Sequence, residues 1–250
     1  MQLAGRVVLM TGATGGVGQA TARELARAGA VLVLAGRDKT VLDDLAAAVR
    51  GYAVPGELAE PTAVERLVAA AERLAGPVDV LINNAGVGYA GQLAETPMEQ
   101  INALVHINLS VPIQLTRLVL PGMLRRGRGR IVLVGSIAGV VGVRNESVYA
   151  AAKGGLAVLA DSLADELAGT GVGVTLITPA AIATGFFRKR GLEYDRRVPK
   201  LMPPERLAAT IRAAVEADRR RVMVPRWLEL PARLHGSMPK LYRALSARWG

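Results

Sequence analysis

Cysteine is absent from this 250-residue chain, and histidine occurs only at His106 and His235. Without thiols there is no disulfide, zinc–thiolate site or cysteine nucleophile, and two separated histidines argue against a histidine metal site or a Ser-His-Asp triad. Aromatic residues make up 4% of the chain, too few for platforms that stack nucleobases. The net charge of +10 therefore does not point to nucleic acid; the cations are scattered, with local clusters at Arg125 to Arg130, Arg188 to Arg190 and Arg219 to Arg221. Uninterrupted apolar runs of eighteen residues are also missing, since Pro112, Arg117 and Pro121 break the longest candidate, Ile107 to Leu124. The first residues enter an apolar strand pattern with no basic segment and cleavage site, so a cytoplasmic, soluble protein without a membrane span is expected.

What the chain does have is regular alternation. Short apolar runs at Arg6 to Met10, Ala30 to Ala35, Tyr52 to Val54, Val78 to Ile82, Arg130 to Val134, Val174 to Thr178 and Val222 to Val224 read as strands. Helical patterns separate them: Val17 to Ala28, Asp38 (as N-cap) to Arg50, Pro61 to Ala75, Pro97 to Arg125 with a break near Asn108 to Pro112, Tyr149 to Leu167, and Pro204 to Asp218. The strands before the last are apolar throughout rather than alternating, as when both sheet faces are covered. The expectation is a single α/β domain over residues 1–224, a Rossmann-type doubly wound parallel sheet flanked by helices, with a charged substrate loop at about 183–203.

Two stretches carry chemistry. Thr11-Gly12-Ala-Thr14-Gly15-Gly16-Val17-Gly18 follows the first strand and opens a helix, where glycines allow a pyrophosphate to approach backbone amides at the positive helix end. Tyr149-Ala-Ala-Ala-Lys153 places a phenol and an ammonium one helical turn apart on one face. A cation there favours the phenolate and brings a side chain of reference pKa about 10 nearer the range of a working acid or base. Ser136 follows an apolar strand, at the sheet end where α/β proteins bind ligands. Taken alone, the Tyr-Lys spacing fits equally a surface pair on an amphipathic helix.

The Gly-x-x-x-Gly-x-Gly spacing of Gly12, Gly16 and Gly18, together with Tyr149-x-x-x-Lys153, resembles the short-chain dehydrogenase/reductase family over about Gly5 to Val224. Asn83-Asn84-Ala85-Gly86 is similar to that family's Asn-Asn-Ala-Gly signature on the adenosine side of the cofactor. The resemblance implies a catalytic set in which Tyr149 passes a proton, Lys153 lowers its pKa and binds ribose hydroxyls, Ser136 hydrogen-bonds the substrate oxygen, and Asn108 holds a relay water. It also implies a cofactor site of Gly12, Thr14, Gly16, Val17, Gly18, Asn84, Ala85, Gly86, Tyr149 and Lys153, with Pro179, Ile182 and Thr184 towards the nicotinamide. Two departures stand out: Ala180 replaces the usual glycine after Pro179, and Glu57-Leu58 replaces the usual aspartate after the third strand.

At the end of the second strand Gly36 occupies the place of the acid that binds the ribose of NAD, and Arg37 follows, suited to a 2′-phosphate. NADP(H) is therefore favoured, with NAD(H) the alternative. The implied activity is hydride transfer between the nicotinamide and a ketone, aldehyde or secondary alcohol; a catalytically idle dinucleotide-binding regulator on the same fold is the alternative. The resemblance further implies a homo-oligomer. Phe186, Phe187, Tyr89 and Val140 to Val143 suggest an apolar substrate site, or equally core packing, while Arg188, Lys189 and Arg190 read as a solvated face. From residue 225 to 250 the tail interleaves Trp227, Leu228, Leu230, Leu234, Met238, Leu241, Tyr242, Leu245 and Trp249 with Arg226, Arg233, Lys240, Arg243 and Arg248. Packing over the pocket or another subunit is the favoured expectation for it, and peripheral membrane contact the alternative.

Overall fold

Runs such as Val7–Met10 and Val80–Asn83 are buried along their whole length. Such strands are stable only inside a sheet covered on both faces, and that is the arrangement found. The computed structural model describes residues 1–192, 194–195 and 198–246. Seven parallel strands form one sheet in the order β3-β2-β1-β4-β5-β6-β7: β1 Val7–Met10, β2 Val31–Gly36, β3 Tyr52–Pro55, β4 Val80–Asn83, β5 Gly129–Val134, β6 Val172–Pro179 and β7 Arg221–Val224. The larger helices are α1 Gly16–Arg27, α2 Lys39–Val49, α3 Ala63–Ala75, α4 Met98–Val105, α5 Val111–Arg125, the four-residue α6 Ala138–Val141, and α7 Ser147–Glu166. The four-residue α8 Phe186–Lys189, then α9 Pro204–Glu216, α10 Glu229–Ser237 and α11 Pro239–Ser246, complete the chain.

Two apolar layers sandwich the sheet. One joins α1, α2 and α9 to β1, β2 and β6 through residues such as Leu25, Leu42, Leu34 and Ile211. The other joins α3, α5 and α7 to the opposite face through Leu67, Leu115, Leu156 and Leu133. The strand order reverses between β1 and β4, so the connections after them leave in opposite directions and open a crevice at the carboxyl edge.

Local chemistry explains the details. Asp38 caps α2 as expected, its carboxylate accepting the Val41 amide at 3.1 Å. Pro61 does not start α3; the helix begins at Ala63 after Thr62, which takes a left-handed φ of 59°. The expected break near Asn108 to Pro112 is absent. Instead α4 and α5 run together through a π-helical turn, His106–Ser110. Pro112 has no N–H for the Asn108 carbonyl four residues back, and a shift to wider spacing accommodates the gap without ending the helix. The combined helix Met98–Arg125 is long and apolar enough to cross a membrane, by length and composition only. Here its apolar stripe, including Ile107, Val111, Leu115 and Val119, is buried in the second layer. Arg130, within apolar β5, is buried and paired with Asp218.

In the tail, Leu228 is buried, α10 touches α6, and α11 packs on α10 with Tyr242 edge-on to His235 at 5.0 Å. Trp227, Leu230, Met238 and Leu241 remain exposed. Arg248 and Trp249 lie outside the described residues, as do the side chains of Arg243 and Leu245.

Candidate active site

The crevice between the β1 and β4 connections is a cleft of about 520 Å³. It is lined by Gly12, Thr14, Gly16, Val17, Gly18, Arg37, Glu57, Leu58, Asn84, Ala85, Gly86, Ser136, Tyr149, Lys153, Pro179, Ile182 and Thr184. Every residue expected to touch a cofactor is thus on one surface, although they come from six segments of chain. Asn108 is not on that surface. It is completely buried behind Gly86.

The glycine turn packs so tightly on its neighbours that side chains there would collide with the protein itself, and its bare backbone lines the cleft. Gly12 has φ +67°, and a Cβ on it would come within 2.7 Å of the Ala85 Cα; on Gly18 it would meet the Gly12 carbonyl oxygen at 2.1 Å. A Cβ on Gly16 would strike the Thr184 methyl at 2.7 Å, so the β6 loop presses directly on the turn. The first turn of α1 contains no acidic residue to neutralise its positive end. These features fit a dinucleotide. The turn is held by Asn84, whose Nδ2 donates to the carbonyls of Thr11 and Gly12 at 3.1 Å each, while the Thr11 hydroxyl accepts the amides of Asn84 and Ala85 at 3.2 and 3.1 Å.

Arg37 stands exposed at the rim, with its guanidinium 3.4 Å from Glu57. Leu58 packs towards the second apolar layer. Ala180 replaces glycine without strain: its amide donates to the Val224 carbonyl at 2.8 Å, and its φ is not in the left-handed region.

Tyr149 and Lys153 share a buried face of α7, with the Lys153 Nζ 5.9 Å from the phenol ring centroid. The electrostatics differ from the sequence expectation. Burial pushes the Tyr149 phenol up to about 12, opposed by a hydrogen bond with Ser136; Glu146 raises it and Arg190 lowers it to smaller extents. Lys153 is not among the groups that shift it. Burial lowers Lys153 itself to about 8, and its ammonium donates to the Val134 carbonyl at 2.8 Å. Asn108 donates from Nδ2 to the carbonyls of Val87 and Leu104, both at 2.9 Å, and its Oδ1 has no protein partner. That oxygen lies 2.9 Å from where a Cβ on Gly86 would stand, and Lys153 Nζ lies 3.7 Å from the same point. Asn108 and Lys153 thus both approach Gly86.

Phe186 and Phe187 flank the cleft, with the Phe186 ring 5.8 Å from that of Tyr149. Tyr89 packs nearby outside the cleft wall, and Val143 lines it. Arg188 and Lys189 are exposed as expected of a solvated face, but Arg190 is buried and paired with Glu146. Sequence reasoning missed Glu146 altogether. Its position three residues before Tyr149 was the available signal.

The family model described as short chain dehydrogenase matches residues 6–195. The chain is 37% identical to ketoacyl reductase HetN of Nostoc over 89% of its own length and 79% of that protein's. It is 35% identical to mouse dehydrogenase/reductase SDR family member 7B over 71% of its own length, and spans only 58% of that protein. Among solved structures, a short-chain dehydrogenase/reductase from Burkholderia phymatum in complex with NAD superposes with TM-score 0.87 at 25% identity, covering 96% of each chain. A short-chain dehydrogenase from Sphingobium yanoikuyae in complex with NADPH gives 0.83 at 30% identity, covering 94% of this chain and 95% of the other.

The buried lysine makes stability depend on pH. Folded Lys153 releases its proton near 8 and the unfolded chain near 10.5. Between those values the unfolded state holds more protons, so stability from this group rises with pH. The stability of the protein relative to Lys153→Met is expected to improve by about 3 kcal/mol between pH 7.5 and 10.5, read by chemical denaturation. Parallel pH curves for the two proteins would show that Lys153 titrates as in solvent.

Proposed function

Because the chain belongs to the short-chain dehydrogenase/reductase family, we propose that it is an NADP(H)-dependent oxidoreductase acting on a ketone or aldehyde and the corresponding alcohol. The observation that carries this reading is the Ser136–Tyr149–Lys153 group at the end of a cleft whose other end is a glycine turn shaped for a dinucleotide. When bound, the nicotinamide supplies or accepts the hydride. The protein's own residues manage the proton and the orientation.

Tyr149 is the proton carrier. With its pKa raised to about 12 the phenol is fully protonated at neutral pH, which suits donation to a carbonyl oxygen as negative charge develops there. Ser136, whose single O–H proton is shared with the same phenol, can turn that proton to the substrate oxygen once one is bound. Lys153 holds its ammonium beneath the phenol and, through its remaining protons, can bind ribose hydroxyls. Asn108 Oδ1, a buried acceptor with no protein partner, suits a water that would return a proton to the site. Phe186, Phe187 and Val143 make the substrate end apolar, and the resemblance to a ketoacyl reductase supports an acyl-chain ketone as one substrate class. Tyr149→Phe is expected to lower kcat by at least a thousandfold while NADPH binding, followed by fluorescence, stays within twofold. Retained turnover would remove Tyr149 from the mechanism.

Preference for NADP(H) rests on Arg37 at the rim and Gly36 in the place of an acid. A Cβ on Gly36 would lie 2.7 Å from the Thr14 methyl, so an acidic side chain would not fit there without movement. Arg37's pair with Glu57 is exposed and therefore weak, leaving the guanidinium able to turn to a phosphate. Arg37→Ala should raise the KM for NADPH about tenfold, the loss of roughly one charge-assisted contact, and leave that for NADH unchanged. Equal effects on both would reject the phosphate role.

We read the protein as a homo-oligomer, with the exposed apolar side chains Ile113 on α5 and Val158 on α7 as the outward patches available to a second copy. We read the tail's exposed Trp227, Leu230 and Met238, set among Arg226, Arg233 and Lys240, as packing against a second copy, with contact to a lipid surface the alternative. Light scattering is expected to give a dimer or larger. Co-sedimentation with anionic vesicles should be the same for the full chain and one ending near Pro225; loss on truncation would assign the tail to the bilayer.

A further inference from the structure

Three segments converge on the open side of Tyr149. Residues 88–91 follow β4, residues 145–149 lead into α7, and residues 186–190 contain α8. Their packing is close. A Cβ on Gly88 would stand 2.6 Å from Phe186 Cζ and 3.1 Å from Arg190 Cβ. The Ala90 amide donates to the Arg190 carbonyl at 3.2 Å, and the Gly91 amide to that of Asn145 at 2.8 Å. At the centre lies a pair not used by the chemistry described above. The Arg190 guanidinium bonds the Glu146 carboxylate, with 7% and 11% of their side chains exposed. Of the three successive cations Arg188, Lys189 and Arg190, only this one is buried.

A buried ion pair is costly to assemble and more costly to break, because the surviving partner stays desolvated and uncompensated. Such a pair therefore holds the segments that carry it in one arrangement. Here Glu146 sits one turn before the catalytic tyrosine. Arg190 ends α8, its guanidinium lies 4.7 Å from the Phe187 ring centroid, and its Nε reaches the Leu192 carbonyl at 3.4 Å. Phe187 stands edge-on to Phe186 at 5.8 Å, and Phe186 in turn meets Tyr149 at 5.8 Å. The chain of contacts runs from the ion pair, through two aromatic rings, back to the phenol.

We infer that Glu146 and Arg190 are a positioning pair that fastens the aromatic wall of the substrate pocket, Phe186 and Phe187, against Tyr149. The word catalytic for Tyr149 rests on the oxidoreductase reading above; the fastening does not. Pairing also sets the charges of Glu146 and Arg190 against each other beside the phenol. Around it the residue before α7 contributes Glu146, α7 Lys153, the β5 end Ser136, the loop Arg190 and the segment after β4 Tyr89, while α4 brings the uncharged Leu104. Glu146 and Arg190 push the phenol in opposite directions. Neutralising one alone must therefore displace its titration in a direction that depends on which is removed.

The test uses Glu146→Gln, Arg190→Met, their combination, and the charge-keeping Arg190→Lys, all in the full chain. Trypsin cleavage after Arg188 and Lys189 reads the fastening without turnover. Both single neutral variants should be cut at least tenfold faster than the parent, and Arg190→Lys should recover most of the protection. Unchanged cleavage in the single variants would overturn the proposal. In turnover, both should raise the substrate KM several-fold with NADPH affinity unchanged. The pKa seen in the pH profile of kcat should fall in Glu146→Gln, rise in Arg190→Met, and return towards the parent value in the combination. Shifts in the same direction for both would remove the charge role and leave a scaffold only. Absence of any carbonyl turnover by the parent protein would instead refute the oxidoreductase reading, and the protease result would still stand or fall by itself.

Discussion

The Asn84 carboxamide reaching across the crevice to the Thr11 and Gly12 carbonyls is the contact on which the rest of the site depends. Two parallel strands diverge at this point, and nothing in sheet hydrogen bonding itself keeps their following loops at a set separation. Asn84 and the Thr11 hydroxyl supply four bonds that do. Two of them occupy the Thr11 and Gly12 carbonyls at the start of the glycine turn. The closeness is visible in Gly12, where no side chain could be carried without displacing Ala85. The same short segment after β4 reaches Gly86, which Asn108 and Lys153 both approach, so the glycine turn and the Asn108 and Lys153 side chains border one stretch of chain.

Burial is the second governing influence. It raises Tyr149 and lowers Lys153, moving the two groups in opposite senses although they lie on one helix face. Proximity of an ammonium is thus not sufficient to make a phenol acidic when both are desolvated. The arrangement keeps the phenol protonated, which matches a proton donor, and it leaves the lysine poised to change charge close to neutrality. The neighbouring Glu146–Arg190 pair affects the phenol less than burial does, and it ties the segment before α7 to the end of α8.

Much of this was legible beforehand. The apolar runs gave the strands to within a few residues, because a strand covered on both faces has no polar positions to blur the pattern. The tight turn after β1 was legible because close backbone approach demands glycine, and Gly12, Gly16 and Gly18 mark it in the sequence. The π-helical turn at His106–Ser110 was not. Pro112 signalled an interruption, but whether a helix ends or widens there depends on what packs around it. Nor was Arg190: three basic residues in a row look solvated, and only the approach of Glu146 from a segment 44 residues away makes burial of one of them tolerable.

By itself, then, the order of residues determined the strands, most of the helices between them, the parallel sheet into which they alternate, and where the tight glycine turn falls. These follow from local periodicity and from the chemistry of single residue types. The tertiary structure alone decided how charge behaves within the cleft. Desolvation and ion pairing depend on atoms brought together from distant parts of the chain, so the high pKa of Tyr149, the low one of Lys153 and the buried partnership of Glu146 with Arg190 exist only once the fold has closed around them.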